Sequence, residues 1–208
     1  AFKRLYNSVM ARGDRVIAVS DQLAELIHDR YGTSWDCIAV VPPSIDFARF
    51  DPARVAPEHI AAIRREWGVT ANERVILVVG RMLRRKGHHI VAQAARRLKA
   101  TGLKDFVIVF AAVDDGTRYA AELWDQVHGS DINDVIRMTG TIDDLPAAYA
   151  AATVMVSAAV QPEGLQRALL EAQAMARPVI VSDLAAGPDV VLAQPTVCHL
   201  QSKCVSSS

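Results

Sequence analysis

Residues Val75-Ile76-Leu77-Val78-Val79-Gly80-Arg81-Met82-Leu83-Arg84-Arg85-Lys86-Gly87-His88-His89-Ile90-Val91 pass from an unbroken apolar run, through a glycine and four cations, into a segment of helical period. The run has no in/out alternation, as expected of a strand buried on both faces. Beyond the loop, Ile90, Val91, Ala94, Ala95 and Leu98 predict one apolar helix face, with His89, Gln93, Arg96 and Arg97 pointing away. Similar runs occur at residues 16–19, 38–41, 106–110, 135–138, 154–156 and 179–181, with longer segments between them. Leu165, Leu169, Ala172 and Met175 mark a further helix face. Strands alternating with helices predict parallel strands joined by right-handed crossovers, an α/β doubly wound sheet.

Composition narrows the functional classes. The 208 residues carry 23 Lys+Arg against 23 Asp+Glu, and 51% are hydrophobic. A nucleic-acid binder is disfavoured, because phosphate affinity rests on clustered cations releasing counterions. A disordered chain would be poorer in apolar residues. Cys37, Cys198 and Cys204 have neither paired nor metal-ligand spacing, so neither a disulfide framework nor zinc is expected, and a reducing cytoplasm is the default compartment. Residues 145–162 carry no charge, but Tyr149, Thr153, Ser157 and Gln161 interrupt them. They read as a short helix and a buried strand, not a membrane span. Prolines from Pro42 to Pro57 suggest a stiff connector rather than core. The expected division is 1–45 as the end of a first α/β domain, 46–70 as linker and helix, 71–200 as a five-stranded domain, and 201–208 as a tail. Beginning at Ala1, the chain reads as a piece of a longer one.

Two features carry chemistry. In open parallel sheets ligands bind at the carboxyl ends of strands, where Gly80, Arg81 and Lys86 fall. Fixed cations beside a helix N-terminus suit a diphosphate, since charge and helix dipole act on the same anion. The run also reads as the solvated basic start of an amphipathic helix. No P-loop or G-x-G-x-x-G pattern is present. The second feature is Glu163 and Glu171 within Gln161-Pro162-Glu163-Gly164-Leu165-Gln166-Arg167-Ala168-Leu169-Leu170-Glu171. Eight helical positions rise about 12 Å and return to nearly the same side. Carboxylates so far apart do not form a close dyad; they suit hydroxyls at the two ends of an elongated ligand. The plainer reading is one capping and one exposed glutamate, although an unpaired Glu171 between Leu170 and Ala172 would be costly if buried.

In order along the chain, Gly-Arg-x4-Lys-Gly, Met138-Thr139-Gly140, residues 150–153, Glu-x7-Glu and Ala172-Gln173-Ala174-Met175-Ala176-Arg177-Pro178-Val179-Ile180 resemble the carboxy-terminal half of glycosyltransferase family 4, the retaining group 1 enzymes of GT-B fold. Asp14-Arg15-Val16-Ile17-Ala18-Val19-Ser20 and Val41-Pro42-Pro43-Ser44-Ile45-Asp46 resemble that family's passage between domains. The resemblance implies a Rossmann-like donor domain and the tail of an acceptor domain. It implies that Arg81 and Lys86 neutralise the diphosphate of a nucleotide-sugar donor, supporting departure of the nucleoside diphosphate. Glu163 would meet the sugar hydroxyls, with the backbone of Gly164, Leu165 and Gln166 facing the sugar or phosphate. Glu171 would accept from ribose, while Gly140, Thr141 and Ile142 would line the base pocket. No cofactor or metal is implied, Arg81, Lys86 and a helix dipole standing in for one. The acceptor would be a glycan or lipid-linked hydroxyl served by the first domain, with possible peripheral membrane contact there. Alanine- and arginine-rich composition fits a bacterial polysaccharide or lipopolysaccharide pathway, and the piece alone is expected to bind donor without transferring sugar.

Some positions depart from the family pattern. Leu165 and Gln166 replace an aromatic residue and a glycine, so Gln166 is expected to narrow the sugar pocket or alter donor choice. Residues 111–116 replace a glycine-rich turn, and Ala158-Ala159 replace Pro-Ser. These changes keep open a nucleotide-sugar-binding module without turnover, and the shared fold keeps open a GT-B-type epimerase. Among weaker candidates, His88 and His89 read as helix surface, Asp143-Asp144 and Ser20 as helix caps, Asp114-Asp115-Gly116 as a turn, and Trp35, Trp67 and Trp124 as packing residues.

Overall fold

The computed structural model describes residues 8–112, 116–161 and 166–182, and the backbone of 197–200. The chain forms two compact units, residues 1–44 and 45–208. In the smaller, β1 (Val16–Ala18) and β2 (Ile38–Val40) pair in parallel, connected by α1 (Asp21–Tyr31). Ser20 caps this helix by accepting from the Leu23 N–H, and Ala11, Ala18, Ala24 and Ile27 form a small core.

The larger unit runs α2 (Pro57–Glu66), β3 (Arg74–Val79), α3 (His88–Ala100), β4 (Phe106–Ala111), α4 (Arg118–His128), β5 (Ile136–Met138), α5 (Leu145–Ala151), β6 (Val154–Ser157), α6 (Arg167–Ala174), β7 (Val179–Ser182) and β8 (Val197–Leu200). All six strands are parallel, in the order β5-β4-β3-β6-β7-β8. Five strands were expected; β8 adds a sixth beside β7. Counted within this unit, the order is 3-2-1-4-5-6, that of doubly wound dinucleotide folds.

Two apolar layers explain why the strand sequences do not alternate. Val75, Leu77, Val107 and Val109 face Trp67, Tyr149 and Leu169, while Val78, Phe106, Ile108 and Phe110 face Val91, Ala95 and Leu123. Every residue of β4 is buried. The connector reading for residues 42–57 needs correction at Phe50, which joins the first of these layers beside Ile63, Val69 and Trp67, the last a packing residue as expected. The sequence hides this contribution: Phe47 and Phe50 stand alike among polar residues and prolines, and only the tertiary fold buries Phe50, beside Tyr149 at 6.2 Å between ring centroids, while Phe47 stays exposed. Trp35 departs from the packing expectation by remaining half-exposed, stacked on His28.

The buried stripe of α3 also differs from the expected one. It consists of His88, Val91, Ala92 and Ala95, whereas Ala94 faces solvent. His88 is 0% exposed, contrary to the surface reading, because the helix begins at this residue and places it one turn before Val91 and Ala92. Asp144 caps α5 as expected, accepting from the Ala147 N–H. No helix among the described residues is long and apolar enough to cross a membrane.

Candidate functional site

Strand order places the sheet's switch point between β3 and β6, where the connections leave in opposite directions and open a crevice at the carboxyl ends. The basic loop leaves β3 and the glutamate segment leaves β6. Two contacts join them. The Val160 N–H donates to the Arg85 carbonyl at 2.9 Å. Gly87, at φ 75, passes so close to Ala158 that an added Cβ would lie 1.8 Å from the Ala158 oxygen. Glycine is therefore required here both by backbone conformation and by space.

Within the loop, Gly80 has φ 146, and the Lys86 stem folds against it, its Cε 3.7 Å from where a Cβ would stand. Arg81 is exposed, and the next residue, Met82, is buried. Arg81 and Lys86 thus share one short loop at the head of α3, a helix of 13 residues whose dipole favours an anion there. Behind them His88 packs edge-on to Phe110 at 5.2 Å, with no hydrogen-bond partner for either ring nitrogen among the described residues. Burial, then the Lys86 charge, then His89, push its pKa down to about 4. The Leu83 backbone opposes this shift without reaching hydrogen-bonding geometry. His88 is consequently a neutral wall behind the cations.

Glu171 is buried on the second turn of α6, but it is not unpaired. Its Oε2 accepts from the Tyr149 hydroxyl at 2.9 Å, and Oε1 lies 3.6 Å from Nη2 of Arg167 one turn earlier. Burial first, then the charge and hydrogen bond of Glu171, drive the Tyr149 phenol far above its usual range, so it remains a donor. An ionised carboxylate has about four lone-pair positions, so Glu171 keeps acceptor capacity while Tyr149 fixes its orientation.

Gln166 is held by a specific partner. Its side chain is buried, and its Oε1 accepts from the Ser157 hydroxyl at 2.7 Å, tying the start of α6 to the end of β6. Thr141 is exposed after Gly140, whose φ is 71, while Ile142 packs into the core layer near Leu145. Both lie at the carboxyl end of β5, two strands from the switch point. Glu163, Gly164 and Leu165 lie outside the described residues, as do Asp114 and Asp115. Among the described residues no three His, Cys, Asp or Glu side chains converge as metal ligands.

Residues 73–203 match the family model described as glycosyl transferases group 1, and residues 1–49 match glycosyltransferase family 4. The chain belongs to the group 1 glycosyl transferases. Its relatives include D-inositol 3-phosphate glycosyltransferase from Kineococcus radiotolerans, 32% identical over 84% of this chain and 40% of that protein. The chain therefore spans well under half of that relative. Among solved structures, a glycosyltransferase from Rickettsia africae superposes with a TM-score of 0.84 at 26% identity, covering 96% of this chain and 52% of that one. HepE from Anabaena, in complex with UDP-glucose, gives a TM-score of 0.80 at 21% identity over 95% and 53% of the two chains. The fold is that of GT-B glycosyl transferases, a parallel sheet with flanking helices.

Tyr149 and Ser157 were not anticipated by sequence reasoning. Tyr149 was the most accessible to it, being the only bulky polar side chain on an alanine-rich helix. Its partner, however, stands 22 positions away with no local cue. In this glycosyl transferase the carboxylate was legible and its holder was not.

Proposed function

We propose that the 45–208 unit binds a nucleotide-diphosphate sugar at the β3/β6 switch point and that the chain serves transfer of that sugar, with retention of configuration, to a saccharide or lipid-linked hydroxyl. The observation that carries this reading is the junction of the two loops through Arg85, Gly87, Ala158 and Val160, which sets the cations beside the glutamate segment. Arg81 and Lys86 hold the diphosphate and offset the charge that develops as the glycosidic bond to the leaving nucleoside diphosphate breaks. Glu163 receives the sugar hydroxyls, the backbone at Gly164, Leu165 and Gln166 borders them, and Glu171, oriented by Tyr149, accepts from ribose. Gly80 allows the close approach, and Thr141 and Ile142 border the base. No metal or cofactor is part of the proposal, the cations and the helix dipole supplying the positive charge.

The UDP-glucose held by HepE supports a uridine donor. The name of the Kineococcus relative raises a cyclitol phosphate as a competing acceptor. Because the chain covers only 40% of that relative, donor binding without transfer is the behaviour proposed for these 208 residues alone. A cytoplasmic setting is part of the same reading.

Calorimetric titration of UDP, GDP, ADP and their glucose conjugates into the chain tests this. One nucleotide series should bind, and Arg81→Ala or Lys86→Ala should each weaken it about tenfold or more, as expected for loss of a charge-assisted contact. Absence of saturable binding by every nucleotide would remove the reading. Sugar transfer by the chain alone would contradict the binding-only part, and an epimerised donor would replace transfer with the epimerase alternative.

A further inference from the structure

Four cations crowd the loop, and α4 holds Arg84. Arg84 lies with its guanidinium 5.1 Å from the centre of the Tyr119 ring, and its Nη2 is 3.2 Å from Glu122 Oε2. Glu122 also receives Arg118 at 2.8 Å. Arg84 is thus committed to α4, on the far side of the loop from the segment that contacts Arg85 and Gly87.

The same first turn of α4 holds the loop twice more. The Thr117 hydroxyl reaches the Met82 carbonyl at 3.4 Å while capping α4 through the Ala120 N–H. The Tyr119 Oη accepts from the His89 N–H at 3.1 Å and stands 3.0 Å from His89 Nδ1. The His89 N–H is one of the unsatisfied donors at the start of α3, so Tyr119 acts as a cap supplied from another helix. Burial and the Arg84 charge keep His89 neutral, and burial keeps the Tyr119 phenol protonated. The Tyr119 oxygen thus accepts the backbone proton and also pairs with Nδ1, in a direction set by the imidazole tautomer, which ties the phenol, the imidazole and the helix start together.

We infer that Tyr119 is a positioning residue for the donor-diphosphate loop: with Thr117 and Glu122 it anchors Met82, Arg84 and His89 so that Arg81 and Lys86 are presented to the phosphates. This rests on the donor-site reading given above. Tyr119 itself touches no phosphate; its effect is transmitted through the loop backbone and the head of α3.

The test pairs two measurements on the full chain. Hydrogen exchange without ligand reads the order of amides 83–90, and calorimetry reads affinity for UDP and for uridine, which lacks the phosphates. Tyr119→Phe keeps the ring under Arg84 and removes the oxygen; it should weaken UDP about fivefold, the worth of a typical hydrogen bond. Tyr119→Leu removes both and should reach about twentyfold, adding the loss of the cation–π contact. Both should accelerate exchange at 83–90 and leave uridine affinity unchanged. Glu122→Gln, a change of a solvent-exposed ion pair that will not unfold the chain, should give a smaller shift in the same direction. Unchanged UDP affinity or unchanged exchange in the Tyr119 variants overturns the inference, as does an equal loss of uridine and UDP. If exchange accelerates but the unaltered chain binds no nucleoside diphosphate, the donor-site reading falls and the anchoring of the loop by Tyr119 stands.

Discussion

The two ends of the proposed site are built in opposite ways. At the basic end, Arg81 is exposed to solvent, and the loop is shaped by its backbone (Gly80 and Gly87 at positive φ, the Arg85 carbonyl paired with Val160, Gly87 pressed on Ala158) and held from outside by Thr117, Tyr119 and Glu122, none of which pairs with Arg81. At the acidic end, Glu171 is buried, and a side-chain hydrogen bond from Tyr149 sets its direction. Charge in water costs little to hold, so Arg81 needs only a shaped loop to carry it. Charge out of water must be paired, so the acidic end needs a partner. Mutations at the two ends should therefore divide differently between folding and binding.

The strongest challenge to this contrast is Gly87→Ala. Wrong-handed backbone and collision with Ala158 together should cost roughly 3 kcal/mol or more, read by urea denaturation. Gly102→Ala, at φ 87 with nothing within 4 Å, isolates the conformational part and should cost about 1–2 kcal/mol. Equal losses at the two sites would show that the close approach contributes nothing.

A pH effect should follow next. His88 has a folded pKa of about 4 against 6.5 when unfolded, so the unfolded chain binds more protons between those values. Its contribution is complete above about pH 6.5 and is lost as pH falls toward 4, by roughly 3 kcal/mol in all. Denaturation of the chain and of His88→Leu at pH 7.5 and 4.5 should show a steeper acid loss for the unaltered chain. Identical pH slopes would place His88 in water.

At the acidic end, Tyr149→Phe leaves a buried carboxylate oxygen without its donor and should cost roughly 1–3 kcal/mol. Glu171→Gln keeps an acceptor for Tyr149 and should cost less. The smallest stability change belongs to Arg81→Ala, within about 0.5 kcal/mol, since the side chain is exposed. A large loss of stability there would erase the difference between the two ends.

Legibility in the sequence follows the same division. The parallel strands could be read because burial on both faces writes itself as uninterrupted Val and Ile runs, and the basic loop because glycines bracket its cations within a few residues. β8 was missed, since Val197-Cys198-His199-Leu200 is four residues long and interrupted by a histidine. His88 was misassigned because adjacent histidines after three basic residues look solvated, while the helix start decides which of them turns inward. Phe50, Tyr119 and Tyr149 act through partners far along the chain, where no local pattern speaks. For Gln166 the sequence offers no partner, and only the position of Ser157 shows what its amide oxygen meets.

The most direct measurement is an amide-resolved NMR titration of the isotopically labelled chain with UDP. Saturable shifts should cluster at residues 80–88 and at 158–161 and 166–171, beside the point where β3 and β6 diverge, and Arg81→Ala should move their midpoint to UDP concentrations about tenfold or more higher. Shifts confined to the 1–44 unit or to the β7/β8 edge of the sheet would contradict the account.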